Sequence, residues 1–284
     1  MISLTVDVEE GFHGLWPSTK GTMTRYRHEL PKGTFIRPLQ NILKLFEKEN
    51  VQSTFFVLGK IAEAFPEAIE EIYDFGHEVA SHGCFHVDLT KVSLTEFQEM
   101  EKKNYSMLAK ITGEVPKGFR APFFRINPMI ISFLSKIGYV YDSSIIPSIG
   151  IPGWWSHHGA PLFPYSVNVG KQRFVEVPIS VFPYLHLPLG GWFFRNFGLS
   201  YVKWAIRLLL HKGLPVILYI HPFDVDSDAQ KYGGIRFHAT RHCGKYTLKA
   251  IEHLLKSFDC KKITVLDAVK KFMVHDSAEV YSRL

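Results

Sequence analysis

Ile2-Ser3-Leu4-Thr5-Val6-Asp7-Val8-Glu9-Glu10 opens as a β-rich apolar run and ends in acid. Such a run reads as a buried strand whose carboxyl end opens into a pocket. Side chains alternate along a strand, so Asp7 and Glu9 point to one side. Two carboxylates at one strand end repel unless a cation or a shared proton offsets their charge. Glu10 reads instead as part of the solvated turn that follows.

Working outward, residues 11–35 are rich in Gly, Pro, Trp and charge and read as a long excursion over the top of the fold. Helical spacing then recurs over 37–50, 61–75, 93–112, 128–137, 200–212 and 246–258. It alternates with strand-like runs at 53–58, 76–80, 118–122, 139–144, 174–178 and 215–222. Ser93 with Glu96 three positions on forms a capping box for the longest helix. Residues 262–271 read as a short strand and a last helix. The alternation implies an α/β fold, a parallel sheet closed or nearly so with helices outside. Residues 147–191 break the rhythm and read as loops and short antiparallel pieces roofing the pocket.

At 284 residues the chain suits one such domain, spanning 1–284. Hydrophobic content of 46% with 21% charge is a globular composition. The net charge of +6 favours anionic partners, but the basic residues are dispersed and no nucleic-acid-binding signature is present. Cys84, Cys243 and Cys260 are too few and scattered for a disulfide framework, so reduced, cytosolic thiols are the simplest account. No signal sequence is visible at the amino terminus, and no apolar run reaches the ~20 residues of a membrane span. The reading is therefore cytoplasmic, with a place at the inner membrane face allowed.

Ser81-His82-Gly83-Cys84-Phe85-His86 presents two imidazoles four positions apart directly after a short strand. On a helical turn that spacing puts both rings on one face, supplying two of the three protein ligands of an open zinc site. The acidic pair Asp7 and Glu9 offers the third. Asp7, Glu9, His82, His86, Arg120, Asp142 and His221 all fall at carboxyl ends of expected strands, where parallel α/β barrels assemble their active sites.

With these residues in view, the chain resembles the polysaccharide deacetylase family, the NodB-homology carbohydrate esterases. Thr5-Val6-Asp7-Val8-Glu9 resembles its acidic first motif, His82-Gly83-Cys84-Phe85-His86 its H-x-x-x-H motif and Phe119-Arg120-Ala121-Pro122 its R-x-P motif. Tyr141-Asp142-Ser143-Ser144 resembles the aspartate-bearing fourth motif, and Ile217-Leu218-Tyr219-Ile220-His221-Pro222 the terminal histidine motif. Gly190-Gly191-Trp192-Phe193-Phe194, read as a turn, and His221-Pro222-Phe223-Asp224 resemble the exopolysaccharide-associated branch. Most members place two adjacent aspartates in the first motif, whereas Val8 separates the acids here.

The resemblance implies a distorted, incomplete (β/α) barrel, seven-stranded and parallel, with one divalent metal, most often Zn2+. It implies that Glu9, His82 and His86 hold the metal, Asp7 acts as base with Arg120 beside it, and His221 acts as acid oriented by Asp142. The loop Pro122-Phe123 would meet the substrate, with the Phe123 N–H at the oxyanion. The implied activity is removal of N-acetyl, O-acetyl or formyl groups from a glycan or lipid-linked sugar. Hydrolysis of small cyclic amides, as in allantoinase-type relatives, and non-catalytic carbohydrate binding are the competing readings.

Outside the motifs, Trp154, Trp155, Trp192 and His157-His158 are read either as a sugar-stacking rim or as packing anchors. His238, Arg241 and His242 lie in a basic loop that is either solvated or meets an anionic substrate group. The helix bearing Lys203 and Arg207 packs on the core or lies against a membrane; membrane contact is not required.

Overall fold

The structure, a computed structural model, describes residues 1–11, 31–150, 155–169, 172–231 and 240–275. β1 (Ile2–Val8) is buried along its whole length, and its alternation sorts the interior. Leu4, Val6 and Val8 join an outer apolar layer with Leu39, Ile42 and Phe46 of α1 (Ile36–Lys48). Ser3, Thr5 and Asp7 therefore fall on the opposite face.

The chain proceeds through β2 (Thr54–Val57), α2 (Gly59–Ala64), α3 (Pro66–Asp74), β3 (Glu78–Ser81), α4 (Leu94–Thr112), β4 (Gly118–Phe119), α5 (Pro128–Ile137) and β5 (Tyr141–Asp142). β6 (Tyr165–Val169), β7 (Gln172–Glu176), α6 (Gly191–His211), β8 (Val216–Ile220), α7 (Lys245–Lys256) and α8 (Val265–His275) complete it. The strands form one open sheet of order β6-β7-β5-β4-β3-β2-β1-β8. Seven strands run parallel, and β6 pairs antiparallel with β7 at one edge. This is an incomplete barrel.

An inner cluster of Phe56, Ala80, Tyr141, Val175, Ile217 and Tyr219 takes side chains from strand after strand around the sheet. Burying each aromatic or branched member contributes ~1.5–3 kcal/mol. α8 closes the amino-terminal end of this interior. Its Val265 N–H donates to Thr54 Oγ1 (2.8 Å) and its Leu266 N–H to Glu78 Oε2 (3.0 Å), at the first residues of β2 and β3. The carboxyl end is left for chemistry.

Several expectations change in detail. The segment 61–75 is two helices, because the ring of Pro66 disfavours helical backbone at Phe65 (φ −139°). The 200–212 helix starts as early as Gly191, and Gly198 breaks it with φ 84°, so 190–194 is a helix start and not a turn. The strand near 262 is a single bridge, Ile2 to Lys262. Ser93 caps α4 as its spacing suggests, accepting the Glu96 N–H at 3.2 Å. Glu10 is not solvated: it is buried, and its carboxylate accepts the backbone N–H groups of Lys32 (2.7 Å), Gly33 (2.6 Å) and Thr34 (2.9 Å), pinning the returning chain over the pocket.

Candidate functional site

Asp7 lies on the inner face at the end of β1, where its Oδ1 accepts Nη1 of Arg120 at 2.6 Å. Arg120 is fully buried. It also donates to Thr5 Oγ1 (2.7 Å), Ser143 O (3.0 Å) and Ser143 Oγ (3.0 Å), and its guanidinium stacks over Phe56 at 3.9 Å. A buried cation is tolerable in this form, paired with a carboxylate and making four hydrogen bonds.

The two imidazoles do not sit on a helical turn. Residues 82–86 form a bend in which Gly83 takes φ 78°, and the carbonyls of Gly83 and Cys84 receive the N–H groups of Gly59 (2.9 Å) and Lys60 (3.0 Å) that open α2. Asn104 of α4 adds a bond to the Gly83 carbonyl at 3.3 Å. The bend turns both rings to one point: His82 Nε2 and His86 Nε2 each lie 3.0 Å from Glu9 Oε1. Glu9 follows the last residue of β1 and is buried. Burial alone would raise its carboxyl, but His86 and His221, with hydrogen bonds from His82 and His86 when their Nε2 atoms carry protons, hold it well below the usual carboxylate range.

This donor set fits a divalent metal. His82 Nδ1 faces the Arg120 carbonyl at 2.9 Å, so the neutral ring donates there and turns a lone pair on Nε2 toward Glu9. Two electron-rich atoms facing each other in a buried site call for a cation between them. The three ligand atoms lie within 4.8 Å of one another, and two nitrogens with one carboxylate oxygen are a donor set that zinc accepts.

His221 follows β8 on the other side of β1, and its ligand atom lies within 4.8 Å of those of Asp7 and Glu9. Its orienting carboxylate is Asp224 rather than Asp142. Asp224 Oδ2 meets His221 Nδ1 at 3.2 Å and accepts the His221 N–H at 2.8 Å, while Oδ1 accepts Nε of Arg195 at 2.6 Å. Burial would lower the His221 pKa, but Glu9, Asp224 and Asp7 raise it to about 9. Burial would raise Asp224, and Arg195 and His221 together keep it below the ordinary value. Gly191, at the start of α6, lies so close that an added Cβ would sit 2.4 Å from Asp224 Oδ2. Only glycine leaves room for the carboxylate there.

Asp142 is engaged elsewhere. It accepts Ser144 N–H (3.0 Å) and Ser144 Oγ–H (2.7 Å), and it stands in register with Glu176 across β5 and β7. Burial and then the Asp142 charge push Glu176 well above the usual carboxylate range, and burial raises Asp142 as well. Pro122 lies against Gly83, and the Phe123 ring lies 4.3 Å from His86 with the backbone at φ 57°. Phe124 follows at φ 58°, so the loop holds two successive left-handed residues, a strain typical of functional loops.

Trp155 is 40% exposed, donates to His157 Nε2 (3.2 Å) and lies under Arg125 at 4.8 Å, which ties it to the Phe123 loop. Trp192 sits half-buried on Phe193 and Phe197 of α6. Arg241 gives its carbonyl to Arg195 (2.8 Å), and the His242 ring packs on Tyr246. Trp154 and His238 lie outside the described residues.

Residues 38–141 match the family model for polysaccharide deacetylase. Over this segment the chain is similar to the polysaccharide deacetylase family. Residues 143–266 match a second model, described as a domain of unknown function, DUF3473. His82, His86 and Arg120 lie in the first segment, and Glu176, Arg195, His221 and Asp224 in the second. One sheet runs through both.

A Gibberella zeae peptidoglycan deacetylase-like protein is 29% identical over 51% of this chain and 43% of its own length. The peptidoglycan deacetylase of Helicobacter pylori is 31% identical over 38% of this chain and 37% of its own. The chain thus spans less than half the length of these curated relatives. Among solved structures, an allantoinase superposes with TM-score 0.68 at 18% identity, covering 98% of this chain and 91% of its own. The shared architecture is the distorted, incomplete (β/α) barrel.

Proposed function

We propose that this chain hydrolyses the acetamide of an N-acetylated glycan, using a divalent metal, most simply zinc, held by Glu9, His82 and His86. The observation that carries the reading is the convergence of Glu9, His82 and His86 on one point with Asp7 and His221 beside it, all at the carboxyl end of the sheet. When bound there, the ion supplies a water of pKa near ~7 and polarises the acyl carbonyl. Asp7, held in place by Arg120, accepts the proton of the attacking water. The Phe123 N–H, on its left-handed loop, would receive the developing oxyanion. His221 gives its proton to the leaving nitrogen, so that water and amide become acetate and a free amine. Pro122, Phe123, Trp155 and Trp192 form the substrate-contact side of the proposal.

The test is acetate release from N-acetylhexosamine oligomers, measured beside ring opening of small cyclic amides, before and after chelation. Acetate release that chelation abolishes and added zinc restores supports the reading. Ring opening without acetate release, or full activity in the chelated protein, would overturn it.

A further inference from the structure

We infer that α6 and the loop before it form a docking surface for an anionic lipid bilayer. α6 has two faces. Val202, Ala205, Ile206 and Leu209 are buried in the outer core layer. The opposite face, with Ser200, Trp204, Arg207 and His211 at helical spacing, is exposed. Large apolar groups stand out from it: Phe197 is 54%, Trp204 57%, Tyr184 66% and Leu185 53% exposed. They are one patch. Phe197 packs on Tyr201 (5.3 Å), Tyr201 stacks on Phe182 (5.8 Å), and Phe182 meets Trp204 (4.9 Å).

The charged residues of the stretch that carries the patch have one sign. No Asp or Glu occurs between Glu176 and Asp224, whereas Lys203, Arg207 and Lys212 fall within that stretch. Lys212 lies over the Tyr184 ring at 4.9 Å, and none of the three is in an ion pair among the described residues. Exposed aromatics flanked by cations and free of acid are the chemistry of a helix lying in the headgroup plane of an anionic membrane, with rings at the acyl boundary and cations at phosphate. No helix of the described residues is long and apolar enough to cross a membrane, so α6 would lie on the bilayer. Its first turn abuts Asp224, so the helix that carries the docking face starts at the His221 side of the pocket and runs away from it.

The experiment is co-sedimentation of the purified chain with phosphatidylglycerol-phosphatidylcholine vesicles and with pure phosphatidylcholine vesicles, at low and high salt. Binding is expected to the anionic vesicles, weakened by salt. A Tyr184→Ser/Leu185→Ser/Trp204→Ser variant should lose it by about ten-fold or more, and each charge removed in Lys203→Gln, Arg207→Gln or Lys212→Gln should cost about five-fold. Light scattering runs in parallel. Equal binding by all variants, no binding by the parent, or a dimer that the aromatic variant dissociates would overturn the proposal, the last assigning the face to a second copy. A soluble glycan whose binding the aromatic variant abolishes would overturn it too. The charge variants keep the apolar face and decide the matter if the aromatic variant misfolds. Docking and hydrolysis are separable, because acetate release from a soluble oligomer does not depend on vesicle binding.

Discussion

Asp224 faces His221 with Oδ2 3.2 Å from Nδ1, and Arg195 secures the other carboxylate oxygen at 2.6 Å. Against burial, Glu9 and then Asp224 raise the His221 pKa to about 9, and the Asp224 contact aims the ring. Replacing Asp224 by Asn removes an anion that favours the protonated ring. The expected outcome is a fall in kcat of ~10²–10⁴ and an alkaline limb of the kcat/KM profile moved to lower pH. Asp142→Asn should leave that limb in place. A shift with Asp142→Asn and none with Asp224→Asn would return the orienting role to Asp142.

Arg120 and Asp7 share a fully buried contact, so removing one partner leaves the other unpaired. Arg120→Ala is expected to destabilise the fold by ~3–5 kcal/mol in chemical denaturation. Asp7→Asn keeps size and shape, and it should lower acetate release by ~10²–10⁴ with a smaller change in stability. If Asp7→Asn retained parental turnover, the base would have to be sought elsewhere.

Glu9 shares one oxygen between the two imidazoles, which makes it the sensitive member of the metal set. Elemental analysis of purified Glu9→Gln and His82→Ala proteins should show less than a tenth of the parental metal. Stoichiometric metal in Glu9→Gln would remove Glu9 from the ligands and leave it a purely electrostatic role.

Stability against pH is set in part by two buried groups. His77 packs on Phe46 and Phe55, neither ring nitrogen has a partner among the described residues, and burial lowers its pKa to about 4. The unfolded chain takes up that proton first, so the contribution is full above pH ~6.5 and is lost as pH falls toward ~4. The parent should lose roughly 2 kcal/mol more than His77→Leu between pH 7 and pH 5. Glu101 acts in the opposite sense: burial raises it to about 7 against hydrogen bonds from Ser81 and Tyr139. Its contribution is present at low pH and is lost as pH rises through about 7, so Glu101→Gln should flatten the alkaline decline. Urea titrations at four pH values would measure both slopes.

The parallel sheet was legible because apolar runs ending in polar residues recur at regular spacing, and the resulting strand ends include Asp7, His82, Arg120 and His221. The convergence of Glu9 with the His pair was also readable, although by a bend at Gly83 and not by a helical turn. Asp224 lies in its motif with no sequence mark of its role, since nothing in a string separates a turn aspartate from one whose second oxygen meets Arg195. Arg195 itself hides in an aromatic run, where only the adjacent Gly190-Gly191 pair marks a close approach. Glu176 and Asp142 become neighbours only through β7 pairing with β5, a long-range register that local pattern does not specify.

The pairing of β1 with β8 bears on how the chain must be made. The first strand leaves the ribosome with one edge unsatisfied and waits about 200 residues for its partner, on the order of 10–40 s at ordinary elongation rates. During that interval its apolar face and bare edge are a nucleus for self-association. Production of intact protein should therefore respond more to slower synthesis and to chaperone supply than to changes at the pocket.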